Sequence, residues 1–140
     1  MQSLSIEQIK LGDFSEFSKT ISENDIYLYA GISGDFNPAH INQDYAEKTF
    51  FKSRIAHGLL SAGLISAAIA NGLPGPGSVY IKQSLDFKRP VYISDTITAR
   101  VEVLEILPDK NRIKMNTVCR NQKGETVIGG YCIVSPPVKH

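Results

Sequence analysis

The sequence predicts an α+β domain in which one antiparallel sheet wraps around one long buried helix. Three observations carry this. Leu59 to Ala70 is apolar or small on nearly every side, and a helix without a polar face is a buried helix. After it, apolar and polar residues alternate with the period of two that marks half-buried strands. Mostly short, turn-forming segments join those strands, and short connections make antiparallel neighbours.

The length of 140 residues suits one hydrophobic core, and 42% apolar against 21% charged residues is the composition of a folded chain. Residues 1–140 are therefore read as a single domain, with no internal repeat, low-complexity tract or linker. Phe14 to Ile21 forms a first strand. Ser22 is an N-cap, with Asp25 at the third helical position, for a helix through about Ser33. Asp35-Phe36-Asn37-Pro38-Ala39-His40 is a loop, because a residue before proline avoids helical geometry and asparagine favours turns. Asn42 caps a short helix through Lys48.

The apolar helix follows His57-Gly58 and ends at Asn71-Gly72 and Pro74-Gly75-Pro76-Gly77. Its small residues let a sheet approach closely. Val79, Ile81, Leu85 and Phe87 then alternate with polar neighbours, as do Ile97, Ala99, Val101 and Val103. The phase slips at Leu104-Glu105-Ile106, the mark of a bulge or a strand end. Pro108-Asp109-Lys110-Asn111 and Asn121-Gln122-Lys123-Gly124 are hairpin turns leading into strands 112–120 and 125–134. A sheet that wraps one helix still has free edges, and homodimerisation is a common way to cover them.

Composition also excludes some partners. Fifteen Lys and Arg against fourteen Asp and Glu leave a net charge of +1, without the basic excess that nucleic acid requires. The apolar helix is too short to span a bilayer. The first residues lack a basic then apolar secretory pattern, and Cys119 and Cys132 lack Cys-x-x-Cys spacing. They read as small buried hydrophobes, and the expected location is the cytoplasm. Gly72, Gly75 and Gly77 follow a helix and precede a strand, the wrong context for a phosphate loop, so they form a turn. His40, His57 and His140 have no metal-ligand spacing.

Three places could carry chemistry. Asp35 and His40 sit on one proline-braced loop, where a carboxylate and an imidazole can converge on one water. An Asx-turn and a capping histidine would account for the same residues. Gly58 stands at the head of the buried helix, where unpaired N–H groups can hold a developing oxyanion; backbone shape alone would also explain a glycine. Ser66 shares a helical stripe with Leu59, Ala62, Gly63 and Ala70, and a bond back to the preceding turn would satisfy its hydroxyl. His57 reads as a structural histidine that could also orient the loop. Lys48, Lys52, Arg54, Lys82, Lys88 and Arg89 read as solvated charges, from which any contact to an anionic ligand would be drawn.

The order Asp35-Phe36-Asn37-Pro38-Ala39-His40, then Ala56-His57-Gly58-Leu59, resembles the hydratase 2 motif of MaoC-like, (R)-specific enoyl-CoA hydratases. Leu73-Pro74-Gly75, Gly77-Ser78, Tyr80, Gln83, Leu85, Phe87, Pro90-Val91 and Asp95-Thr96 extend the resemblance, which runs from about Ser18 to Val134. It implies the hot-dog fold. It also implies that Asp35 and His40 are the catalytic pair, and that the Gly58 N–H binds a thioester oxygen. Asn37 would hold the loop at the substrate site, and Ser66 would lie near the pair. The implied reaction is hydration of a trans-2-enoyl-CoA thioester, with no cofactor, because the thioester is itself the electron sink. Other hot-dog activities are the alternatives: acyl-carrier-protein dehydration, thioester hydrolysis, or binding of acyl-CoA without turnover. Thioesterases of this fold usually lack the Asp-x-Asn-Pro-x-His loop.

Overall fold

The computed structural model describes residues 2–139. In chain order the elements are β1 (Phe14–Thr20), α1 (Glu23–Ser33), α2 (Pro38–Ile41), α3 (Gln43–Ala46), α4 (Gly58–Ala70), β2 (Val79–Phe87), β3 (Thr96–Leu107), β4 (Arg112–Arg120) and β5 (Thr126–Ser135). The strands form one sheet in the order β1-β3-β4-β5-β2, and every pairing is antiparallel. Both expected elements of the architecture are present: the sheet, and α4 lying in its concave face. No helix among the described residues is long and apolar enough to cross a membrane.

Local sequence explains where the elements start and stop. The Ser22 hydroxyl accepts the Asp25 N–H at 3.1 Å while the Asp25 carboxylate accepts the Ser22 N–H at 2.9 Å, so α1 opens on a reciprocal capping box. It closes on Gly34 at φ +82°, a left-handed cap that turns the chain towards Asp35. The interior strands β3 and β4 have the expected alternation, with Ile97, Ala99, Val101, Val103, Ile113 and Met115 all buried. The phase slip at Leu104 is a bulge: the β3–β4 register shifts between Val103 and Glu105, and β3 continues to Leu107.

Three expectations need correcting. Residues 35–40 are only partly a loop, because Pro38–Ile41 forms a helical turn. Proline suits the first helical position, and the Asn37 side chain caps the turn by accepting the Ala39 N–H at 3.1 Å. The apolar residues Val79, Ile81 and Phe87 of β2 are exposed, because α4 packs mainly against β1, β3 and β4 and leaves most of the edge strand β2 uncovered. The helix α4 is also not buried all round. Ser61, Leu64, Ile65, Ala68 and Ile69 face the sheet, whereas Leu59, Gly63, Ser66 and Ala70 face outward. In a helix apolar on every side the pattern cannot choose the face. The sheet takes the side with the bulky branched residues, which fill more of the core.

Cys119 and Cys132 are unpaired and fully buried, and burial pushes both thiols up to about 12. They behave as small hydrophobes, as expected.

The β2–β5 pair contains a tight contact. A Cβ on Gly130 would lie 2.0 Å from the Ser84 carbonyl oxygen, a backbone atom with nowhere to go. Gly130→Ala should force these strands apart and cost about 1–3 kcal/mol from overpacking. A thermal melt should show a fall in Tm of roughly 3–10 °C.

Candidate active site

A cavity of about 550 Å³ opens between the Asp35–His40 segment, the head of α4 and the C-terminal end of β2. Asp35, His40, His57, Gly58 and Ser61 supply its polar atoms, and its walls include Phe51, Phe87, Val91 and Ile128. Lys88 and Arg89 also line it, both exposed, and Arg89 pairs with Glu125 at 3.2 Å.

Asp35 is held by an Asx-turn, its Oδ1 accepting the Asn37 N–H at 3.1 Å. That turn leaves its other carboxylate oxygen available to the cavity. The structural role and the chemical one therefore coexist on one residue. Asn37 braces this turn and caps α2 but does not itself line the cavity. His40 is buried, at 8% exposure, and its Nδ1 lies 2.7 Å from the Ile55 carbonyl oxygen. A carbonyl only accepts, so Nδ1 carries the proton and Nε2 keeps its lone pair.

Gly58 is the first residue of α4, so its N–H has no acceptor within the helix and lies at the positive end of the helix dipole. A Cβ here would lie 2.6 Å from the Phe87 ring, so any side chain would displace that wall of the cavity. Ser66 does not line this cavity. It is exposed on the outward face of α4, about 140° around the helix from Ser61 at roughly 100° per residue. The serine that lines the cavity is Ser61.

Ser61 and His57 are the residues that sequence reasoning undervalued. Ser61 is fully buried with no hydrogen-bond partner for its hydroxyl. His57, 2% exposed, donates Nε2–H to the Asp35 carbonyl oxygen at 3.0 Å, leaving Nδ1 buried and without a partner. Burial holds the His57 imidazole below the usual histidine range; the Asp35 hydrogen bond opposes this and the neighbouring His40 adds to it. An unpaired buried polar atom typically costs about 1–3 kcal/mol, so neither group is explained by stability. No pattern in the sequence could have shown which polar atoms end up unpaired.

Arg54 is likewise not a solvated charge. It donates to Glu23 at 2.7 Å and to the Tyr27 hydroxyl at 2.9 Å, tying α1 to the segment before α4. The Arg54 hydrogen bond holds the Glu23 carboxyl below its usual range.

Asp35, His40 and His57 each offer a ligand-type atom within 4.8 Å of the others, closer than their spacing in the sequence suggests. The two imidazoles are stacked, with centroids 3.9 Å apart and 30° between planes. In-plane lone pairs of stacked rings run side by side, whereas metal ligation needs them to converge on one point. The arrangement suits proton transfer better. His140 lies outside the described residues.

Comparison with known proteins agrees with this geometry. The chain is 53% identical to the (R)-specific enoyl-CoA hydratase of Rhodospirillum rubrum over 133 residues, covering 95% of this chain and 92% of that protein. It is 42% identical to a 3-hydroxybutyryl-CoA dehydratase of Methylorubrum extorquens, covering 97% and 86%. Among solved structures, an unliganded R-hydratase from Pseudomonas aeruginosa superposes with a TM-score of 0.93 at 45% identity, covering 98% of this chain and 88% of that one. Residues 11–127 match the family described as a MaoC like domain. With the helix-wrapping sheet and the Asp35–His40 cavity in place, the chain belongs to the MaoC-like family and has its hot-dog fold.

Proposed function

We propose that this protein is a hydro-lyase that reversibly hydrates trans-2-enoyl-CoA to (R)-3-hydroxyacyl-CoA. The observation that carries the proposal is the convergence of the Asp35 carboxylate, the free Nε2 of His40 and the Gly58 N–H on one largely apolar cavity. The similarity to enzymes named for this reaction supports it.

The thioester oxygen sits on the Gly58 N–H at the positive end of α4. Attack at C3 pushes negative charge onto that oxygen as an enolate, so a donor there stabilises the transition state more than the ground state. Asp35 and His40 hold one water and draw a proton from it as its oxygen bonds to C3. A proton is then delivered to C2 on the same face, so that the elements of one water add across the double bond. The Nδ1–H of His40 stays hydrogen-bonded to the Ile55 carbonyl throughout, which leaves Nε2 to accept and return the other proton. The thioester supplies the electron sink, so the step needs no cofactor. The acyl tail lies along Phe51, Val91 and Ile128, and Lys88 and Arg89 at the rim face the anionic CoA head. Asn37 contributes by fixing the turn that aims Asp35.

The functional unit is a homodimer with two sites. The exposed apolar residues Val79, Tyr80 and Ile81 on the unpartnered edge strand β2 support this, as does the outward face of α4 with Leu59 and Ser66. The enzyme works in acyl-CoA metabolism in the cytoplasm, a reducing compartment that suits two unpaired buried cysteines.

Crotonyl-CoA hydration, followed by loss of the enoyl-thioester absorbance, tests the reaction. Asp35→Asn and His40→Ala should each lower turnover by roughly 10²–10⁴ with the fold retained. Near-wild-type rates in both would sink the assignment, and chiral analysis of the product checks the (R) configuration. For the assembly, sedimentation should show a dimer of the 15.4 kDa chain, and Ile81→Asp should shift it towards monomer. A monomeric wild-type protein would refute the dimer.

A further inference from the structure

We propose that His57 is a positioning residue: one side chain holds the Asp35 backbone and carries the His40 ring, and so fixes the spacing of the two groups that hold the water. This rests on the hydratase reading above.

His57 precedes α4 at its N-cap position, yet its side chain makes no capping hydrogen bond. Ser, Thr, Asp or Asn would stabilise that position better. What the ring does instead lies entirely on the cavity side. Its Nε2–H donates to the Asp35 carbonyl oxygen at 3.0 Å, across twenty-two positions of chain. Its face stacks on His40 at 3.9 Å, and Tyr29 packs against it with ring centroids 4.6 Å apart and planes tilted by 56°. The following residue is Gly58, whose N–H is the proposed oxyanion donor. His57 thus joins the carboxylate loop, the base and the head of α4 at one point.

The protonation state follows from the same contacts. The groups facing the ring are the Asp35 carbonyl and carboxylate, His40 and Tyr29; the carboxylate, within 4.8 Å, favours the charged ring, but burial outweighs it and Nδ1 has no hydrogen-bond partner. A second proton would therefore sit on a buried nitrogen without a partner, stacked against His40. A cationic His57 would also oppose the positive charge that His40 gains when it takes the proton of water. The neutral Nε2–H form is the one compatible with a working base.

The test uses two variants and one spectroscopic reading. His57→Phe keeps the ring but loses the hydrogen bond, whereas His57→Gln keeps a donor but loses the ring. His57→Phe should lower kcat for crotonyl-CoA by up to about 10²-fold, the scale of a small misplacement of reacting groups, with KM near wild type. His57→Gln should recover part of the loss. Wild-type kcat in folded His57→Phe would overturn the proposal. So would kcat and KM worsening together in step with lost thermal stability, the pattern of a merely structural residue. Nitrogen-15 NMR of the wild-type imidazoles reads the arrangement without turnover. His40 should carry its proton on Nδ1 and His57 on Nε2 at neutral pH, with His57 taking up a second proton only below the ordinary histidine range. A His57 that holds its proton on Nδ1, or titrates like a surface histidine, would overturn the positioning. Absence of enoyl-CoA turnover by the wild-type protein would instead overturn the hydratase reading.

Discussion

The site depends on how the chain enters α4. Ile55 pairs with Tyr92, and the Ala56 N–H donates to the Val91 carbonyl at 2.7 Å, so the segment is anchored to the stretch between β2 and β3. From the other side the Ile55 N–H reaches the Ala39 carbonyl at 3.2 Å, and the Ile55 carbonyl accepts the His40 Nδ1–H. One short extended segment thereby sets the tautomer of the base and the place where the helix begins. The rest of the fold keeps it there. The sheet buries Ile65, Ala68 and Ile69 of α4, and the Arg54–Glu23–Tyr27 link fastens α1 to the residues just before the anchor.

Much of this was legible in the sequence where local signals and tertiary environment agree. β3 and β4 are interior strands, flanked on both edges, so their alternation maps directly onto burial. The start of α1 was readable because a capping box is a local hydrogen-bond pattern that needs no partner from elsewhere. β2 was readable as a strand but not as an edge, since sheet order is a long-range property. The face of α4 was not readable, because no polar residue marks an outside, and nothing in the pattern tells Ser61, which lines the cavity, from Ser66, which the resemblance alone puts near Asp35. Arg54 is illegible for a related reason: Glu23 and Tyr27 lie 31 and 27 positions away in sequence, and charge alone does not show a partner.

The unpaired polar atoms are not scattered. Among the described residues, the buried side-chain nitrogen and oxygen atoms without partners are those of Arg54, His57 and Ser61, all in or beside the segment that opens α4. Natural proteins tend to depart from local optimality at functional sites, because a group already satisfied by protein cannot also serve a substrate. Stability is supplied elsewhere, by a core with Ile21, Ile26, Ile97, Ile113 and Met115 fully excluded from water. Such a division lets the site carry unfavourable groups without loosening the sheet.

The two buried thiols give that core a built-in reporter. Cys119 on β4 and Cys132 on β5 are both shielded from water and held in the unreactive protonated form by a pKa of about 12. Thiolates attack alkylating reagents, thiols do so poorly, and a buried thiol is reached only when its surroundings open. The native protein is thus silent to such reagents until β4 and β5 part from α4. The rate at which both sulfurs become reactive is a clock for opening of the central strands, and Cys119, whose sulfur lies 4.0 Å from the carbonyl of cavity-lining Ser61, reads it beside the cavity wall.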